Sequence, residues 1–287
     1  MAVGVSVVLL HAPICAAETG VAAPDDAEEQ SFKTEINKDV TDPVSLTWSL
    51  KTKNTITLLD IEGHGNQPQY QLQFQPTLPA LLTPGLKLIA RPQFTFVDDK
   101  PFTSQGELQR ATGFGDTILD LVLSPVSDPW LLALGPTFVF PTASLDRTGQ
   151  GKWQAGPAGV LGYRAKIWLA GVIAEQWFSF AGAESRPAVS QLNLQYIASY
   201  FFGDGWSIGT DPTIKFNWRA SAGNKVTFPL GPVVGKVVKI AGTPVKLEID
   251  LNYVPVHPDP NGPQFIFQLK VIPVVPALLA GPLFNPG

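Results

Sequence analysis

Few side chains in this 287-residue chain could act as bases, nucleophiles or metal ligands. Beyond the first 17 residues only His64 and His257 carry an imidazole. His64 lies in Gly63-His64-Gly65-Asn66 and His257 in Val256-His257-Pro258-Asp259, both rich in turn-forming residues. A Ser–His hydrolase needs a serine beside a base that a third group orients. Neither histidine is followed closely by a serine within a strand pattern. No ligand spacing suits zinc. Gly113-Phe114-Gly115 precedes no helix, so it is not a phosphate-cradling loop. The expectation is therefore a protein that is not an enzyme, with no catalytic residue, no cofactor and no metal. A net charge of −4 argues against a nucleic-acid partner, and one cysteine, Cys15, excludes an internal disulfide.

The more informative chemistry is a set of charges that recur at alternate positions in apolar segments. Arg91, Asp120, Arg164, Lys215, Lys246, Glu248, Asp250 and Lys270 fall on the polar face of such segments. Lys246, Glu248 and Asp250 share one strand face, with Lys270 on the next strand. Opposite charges across neighbouring strands typically contribute about 0.2–1 kcal/mol. Two readings stay open: a salt-bridge network that fills a narrow barrel, or a ring that selects solutes. Asp146, Arg147, Lys152 and Arg186, in expected loops, form a second candidate gate, against the plain reading of solvated loop charge.

These charges need a scaffold, and composition restricts it. Charged residues make up 15%, where a soluble domain carries about 25%. Apolar runs reach only about ten residues, short of the roughly 18 needed for a spanning helix. A chain of this kind can cross a bilayer only as a closed barrel. Val245, Leu247, Ile249, Leu251 and Tyr253 alternate with Lys246, Glu248, Asp250 and Asn252. Val44 to Lys51, Gln69 to Gln75 and Gln191 to Tyr200 show the same period of two. Strands are also expected over 86–96, 116–123, 130–140, 155–164, 167–176, 206–218, 226–240 and 265–271, giving about twelve in all. Long connections are expected at 53–67, 98–113, 141–152, 179–189 and 255–263, with short turns between them. Pro92, Pro136, Pro157 and Pro212 interrupt expected strands and are placed on the outward side, as bends or bulges.

The polar face is mostly Gln, Asn, Ser and Thr, which suits a narrow wet lumen. Trp48, Trp130, Trp168, Trp177, Trp206 and Trp218 are expected on the outer face at the membrane interfaces. The alternative, a sandwich with tryptophans in its core, is the main competing fold. The expected fold class is all-β, a single closed antiparallel transmembrane β-barrel over 44–273, in contact with outer-membrane lipid. Residues 1–17, with apolar Val3–Leu10, read as a signal peptide. Residues 18–43 read as a flexible periplasmic leader and 274–287 as a C-terminal tail.

Several segments occur in an order that resembles a known family. They are Thr112-Gly113-Phe114-Gly115-Asp116, Phe140-Pro141-Thr142-Ala143 and Gly151-Lys152-Trp153-Gln154-Ala155-Gly156-Pro157. Gly205-Trp206, Asn217-Trp218-Arg219-Ala220, Phe228-Pro229-Leu230-Gly231 and Val234-Gly235-Lys236 follow. Together they resemble the outer-membrane barrel family named for the MetA pathway of phenol degradation. The resemblance spans roughly 44–273 and implies a transporter-like barrel of the bacterial outer membrane. It implies uptake of small, hydrophobic or aromatic compounds, and carries over no site residue. The alternatives are a structural or partner-binding barrel and a barrel lipid hydrolase.

Overall fold

A strand in hydrocarbon cannot leave an edge unpaired, and here the first and last staves of the sheet pair with each other. The computed structural model describes residues 26–279 and 281–284. The expected signal peptide lies outside them. After one helix, α1 (Asp26–Thr41), come β1 (Ser49–Ile61), β2 (Gly65–Thr83), β3 (Leu86–Ser104), β4 (Glu107–Gly113) and β5 (Thr117–Pro125). β6 (Trp130–Phe140), β7 (Lys152–Arg164), β8 (Trp168–Gly182), β9 (Ser190–Phe202) and β10 (Trp206–Thr210) follow. β11 (Thr213–Asn217), β12 (Val226–Leu230), β13 (Val233–Ile240), β14 (Thr243–Val256) and β15 (Pro263–Pro273) complete the sheet. β4 with β5, β10 with β11, and β12 with β13 are single staves broken at 114–116, Asp211-Pro212 and Gly231-Pro232. The result is a closed antiparallel barrel of twelve staves, sealed where β1 pairs with β15.

Turns at one end are short: Pro84-Gly85, 126–129, 165–167, 203–205 and 241–242. Most connections at the other end are longer, including 141–151, 183–189 and 218–225. Two expected loops are strand instead. β1 continues to Ile61 and turns tightly into β2, because Lys51 to Thr55 carry polar residues on both faces and hide the alternation. Residues 98–113 form the β3–β4 hairpin, turning at Gln105 and Gly106, both with positive φ.

The outer surface is apolar. Leu134, Leu161, Ile208, Ile249 and Phe267 point outward and are exposed, as the oil-facing phase requires. Two of the prolines within the staves, Pro136 and Pro157, follow a glycine. A side chain at Gly135 would strike the Leu121 carbonyl, and one at Gly156 the Gln176 carbonyl. Their neighbours Pro136 and Pro157 face each other across β6 and β7. Pro212 departs from expectation: it sits buried in the β10–β11 break and lines the lumen.

The interior is divided. Ile89, Val122, Leu131, Val160, Ile173 and Phe201 belong to one dry cluster on β3 and β5–β9, joined by Val44. At the short-turn end of these staves both faces of the wall are apolar, whereas farther along the same staves Arg91, Asp120, Glu175 and Asn193 line a polar lumen. Trp177, expected outside, points inward at 2% exposure and donates its indole N–H to Thr137 Oγ1 at 3.0 Å. Trp48, also expected outside, is buried ahead of β1. Trp130, Trp168, Trp206 and Trp218 are exposed.

The expected flexible leader is a helix over most of its described part. Asp26, Glu28 and Glu29 oppose the dipole in its first turn, and Lys38 stands in its last. Lys33, Asn37 and Thr41, spaced by four, turn toward the barrel. Asn37 is fully buried and donates to the Gly205 carbonyl at 2.7 Å. This docking face is polar, so hydrophobic periodicity does not reveal it. At the other terminus Leu283 N–H donates to the Leu81 carbonyl at 2.9 Å, tying the tail to β2.

Replacing outward Ile249 with Arg should destabilise the folded barrel by about 2–4 kcal/mol, read as the urea midpoint in lipid vesicles. An unchanged midpoint would mean that this face does not meet hydrocarbon.

Candidate functional site

The eight charges singled out in the sequence lie on the inner wall, or at its short-turn end, and form three clusters plus one free lysine. In the first, Arg91 stands directly across from Asp120 in the β3–β5 register. Its Nη2 lies 3.2 Å from Asp120 Oδ2 and 3.6 Å from Glu175 Oε1. Thr137 donates to Asp120 Oδ1 at 2.6 Å, so Trp177, Thr137, Asp120 and Arg91 form one chain. This chain ties β8, β6, β5 and β3 together across the inner wall.

The second cluster is centred on Lys270, itself 4% exposed. Its Nζ lies 2.6 Å from Asp211, 2.7 Å from Asp250 and 3.6 Å from Glu248. Lys246 reaches Glu248 at 2.6 Å and donates to Thr41 of α1 at 2.6 Å. Glu248 and Lys270 are direct cross-strand partners, as alternation along β14 and β15 requires. Asp211 comes from the stave break before Pro212, where its carbonyl accepts from Gln195 Nε2 at 2.9 Å.

The third cluster joins the barrel to α1. Arg164 contacts Asp39 at 2.8 Å, Asp42 at 3.3 Å and Glu35 at 3.6 Å. Lys215 stands apart, facing the lumen with no carboxylate within 4 Å among the described residues. Glu175, Asp211, Asp39 and Asp42 were not legible as partners. Lys51 and Lys53 also line the lumen and were not singled out. Lys51 was on the wet face of its segment, but Lys53 fell in an expected loop. The loop charges hold loops together: Arg147 lies 4.0 Å above the Phe102 ring, and Arg186 donates to the Gly149 carbonyl at 2.5 Å.

Beside the charges runs a cavity of about 290 Å³. Asp39 to Pro43 floor it, at the end of α1. Its wall is largely amide, hydroxyl and ammonium, with Gln71, Gln73, Gln75, Gln93, Gln195 and Gln268 prominent. His64 and His257 lie in outer turns, away from this wall. Among the described residues no group of His, Cys, Asp and Glu is arranged to hold a metal.

Outside the staves, the contacts of α1 have a defined charge logic. Hydrogen bonds from Lys236 and then Lys33 hold the Asp204 carboxyl below its ordinary range. Glu29 and then Asp204 raise the Lys33 ammonium. A lowered carboxyl stabilises the docked state at neutral pH and loses that effect as pH falls through its folded value. A raised ammonium stabilises below its ordinary value and loses the effect as pH rises through the folded one. Burial lifts the Asp42 carboxyl, opposed by the Val44 N–H at 2.8 Å and by Arg164.

Two outcomes follow. Protease cleavage within α1 should be slowest near neutral pH and faster in both acid and strong alkali. A rate that is flat with pH would remove the Asp204–Lys33 contact from the docking. Lys270→Met should destabilise the barrel by about 3–5 kcal/mol, since it strands buried carboxylates, as read by urea unfolding in vesicles. An unchanged midpoint would mean that water already satisfies them.

No protein-family model and no curated protein sequence matches the chain. Its fold does match solved barrels. An outer-membrane channel from Pseudomonas putida F1 superposes with a TM-score of 0.60 at 13% identity, covering 82% of this chain and 98% of that one. The NanC porin superposes with a TM-score of 0.50 at 8% identity, covering 80% and 99%. A closed barrel with an apolar outer wall is built for a bilayer, and this architecture is that of bacterial outer-membrane channels and porins.

Proposed function

We propose that the chain is a narrow passive channel for small solutes in the bacterial outer membrane. The observation that carries this is the polar cavity of about 290 Å³ lying along the inner wall, from α1 up to Gln71 and Lys215. A merely structural barrel of this size can fill its interior with its own side chains. Here the apolar packing is confined to the short-turn end of β3 and β5–β9, so a polar path stays beside and beyond the dry cluster. The short turns and α1 belong at the periplasmic end by the usual asymmetry of such barrels. In that orientation α1 narrows the periplasmic mouth, held there by Arg164, Asn37 and Lys33.

Solute preference follows from the wall. Amides, hydroxyls and ammonium groups exchange hydrogen bonds with hydrated solutes at little cost. They favour small polar compounds over the hydrophobic or aromatic ones that the family resemblance implies. The exposed tryptophans suit membrane interfaces. Trp130, Trp168 and Trp206 each open a stave after a short turn, and Trp218 follows β11 at the opposite end.

The test is purified, folded protein in planar bilayers and in liposomes. Small single-channel currents and swelling in small sugars are expected, and deletion of residues 26–41 should raise the conductance severalfold. A folded barrel silent in both assays, before and after that deletion, would overturn the channel reading and favour a structural or partner-binding barrel.

A further inference from the structure

The charges of the lumen are of two kinds. Asp120, Lys246, Glu248, Asp250 and Lys270 are buried, and each lies within 4 Å of an opposite charge. Lys51 and Lys53 are more open and line the cavity, and no carboxylate oxygen lies within 4 Å of either ammonium among the described residues. Lys53 Nζ donates instead to the amide oxygen of Gln93 at 2.7 Å.

Their placement works against the sheet. The two lysines stand two residues apart on one face of β1, about 7 Å along the strand. Lys53 is the direct cross-strand partner of Lys270. Like charges opposite each other destabilise a sheet, and an acid at position 53 would relieve this. On the other side Lys51 faces Gln75 and Lys53 faces Gln73, whose amides can donate as well as accept. Glu175, Asp211 and Glu248 line the same cavity but each is paired with its own cation, which leaves the two ammonium groups and the amides to meet an entering ion.

We propose that Lys51 and Lys53, with Gln73 and Gln75, form an anion-binding station in the lumen that serves small organic carboxylates in passage. A carboxylate offers two oxygens that accept charge-assisted hydrogen bonds from ammonium donors. A cavity of about 290 Å³ restricts it to a small acid. The narrow wall strengthens the field of an unpaired charge relative to bulk water. This inference rests on the channel reading and names the solute class it serves. The competing role for the two lysines is to balance, at a distance, the excess of carboxylates around Arg91 and Lys270.

The experiment is the reversal potential of the protein in a planar bilayer under a potassium acetate gradient. The wild type should prefer acetate over potassium by about threefold or more. K51Q/K53Q should lose that preference, and K51R/K53R should keep it. Each variant is first checked for the shift in gel mobility that folded barrels show before heating. If K51Q/K53Q does not fold, the wild-type ratio and K53Q alone carry the test. A wild-type ratio at or below one assigns the lysines to charge balance and overturns the proposal, as does a preference unchanged in K53Q and K51Q/K53Q. In both cases current still flows, so the channel reading survives. No current from folded protein overturns both.

Discussion

The controlling constraint is that no backbone N–H or carbonyl can be left unpaired in hydrocarbon. It dictates closure of the sheet, and closure dictates much of the rest. β1 must meet β15, so the first and last staves are as tightly specified as central ones. Proline, which removes a donor, stands both in continuous register, as at Pro92 and Pro76, and at places where the ladder is interrupted. Pro136 and Pro157 face each other, so their missing donors fall at one locus. Pro212 and Pro232 stand at stave breaks. The glycines before Pro136, Pro157 and Pro232 allow the close approach that such bends require.

Once the wall is closed, the inside must be filled, and this chain fills it unequally. Near the short turns β3 and β5–β9 send apolar side chains inward, while farther along the same staves, and on β1, β2, β14 and β15, the inward side chains are amides and charges. Charges in so narrow a space are costly unless paired, and pairing in turn fixes geometry. Arg91 and Lys270 each hold several carboxylates and brace facing staves. Arg164 spends its charge on α1 instead. The helix is therefore docked by polar contacts to a polar wall, which suits an element that can be released without exposing an apolar surface.

How much of this was readable depended on where polarity alternated with oil. β14 was legible residue by residue, because Val245 to Tyr253 never breaks phase and one phase puts Lys246, Glu248 and Asp250 on a common face. The pairing of Glu248 with Lys270 followed once β15 was placed beside it. β1 was misplaced because Lys51-Thr52-Lys53-Asn54-Thr55 is polar on both faces, the outward half being closed by a polar neighbour such as Tyr70, which donates to Asn54. Trp177 was misplaced because a tryptophan in an apolar strand suits either side. Its bond to Thr137, forty residues away, and its shared phase with Ile173 and Glu175 place it inside. The partners Glu175 and Asp211 depended on stave register and on a break at Pro212, neither of which is a local property. α1 was hidden for the same reason that it docks: its contact face is Lys33, Asn37 and Thr41 rather than an apolar stripe.

The unequal interior also separates two duties. A large-to-small change in the dry cluster, at Ile173 or Leu131, removes packing from the side that holds the wall in shape. A polar exchange in the wet half, such as Gln for Asn at 73 or 75, alters contact with a solute while the outer face and the backbone ladder stay as they are. Across these staves runs the chain from Trp177 through Thr137 and Asp120 to Arg91. It is buried and fully cross-strand, so it transmits position and not merely charge. A barrel built this way can vary what its lumen recognises along β1 and β2 while its shape is maintained from β5 to β9.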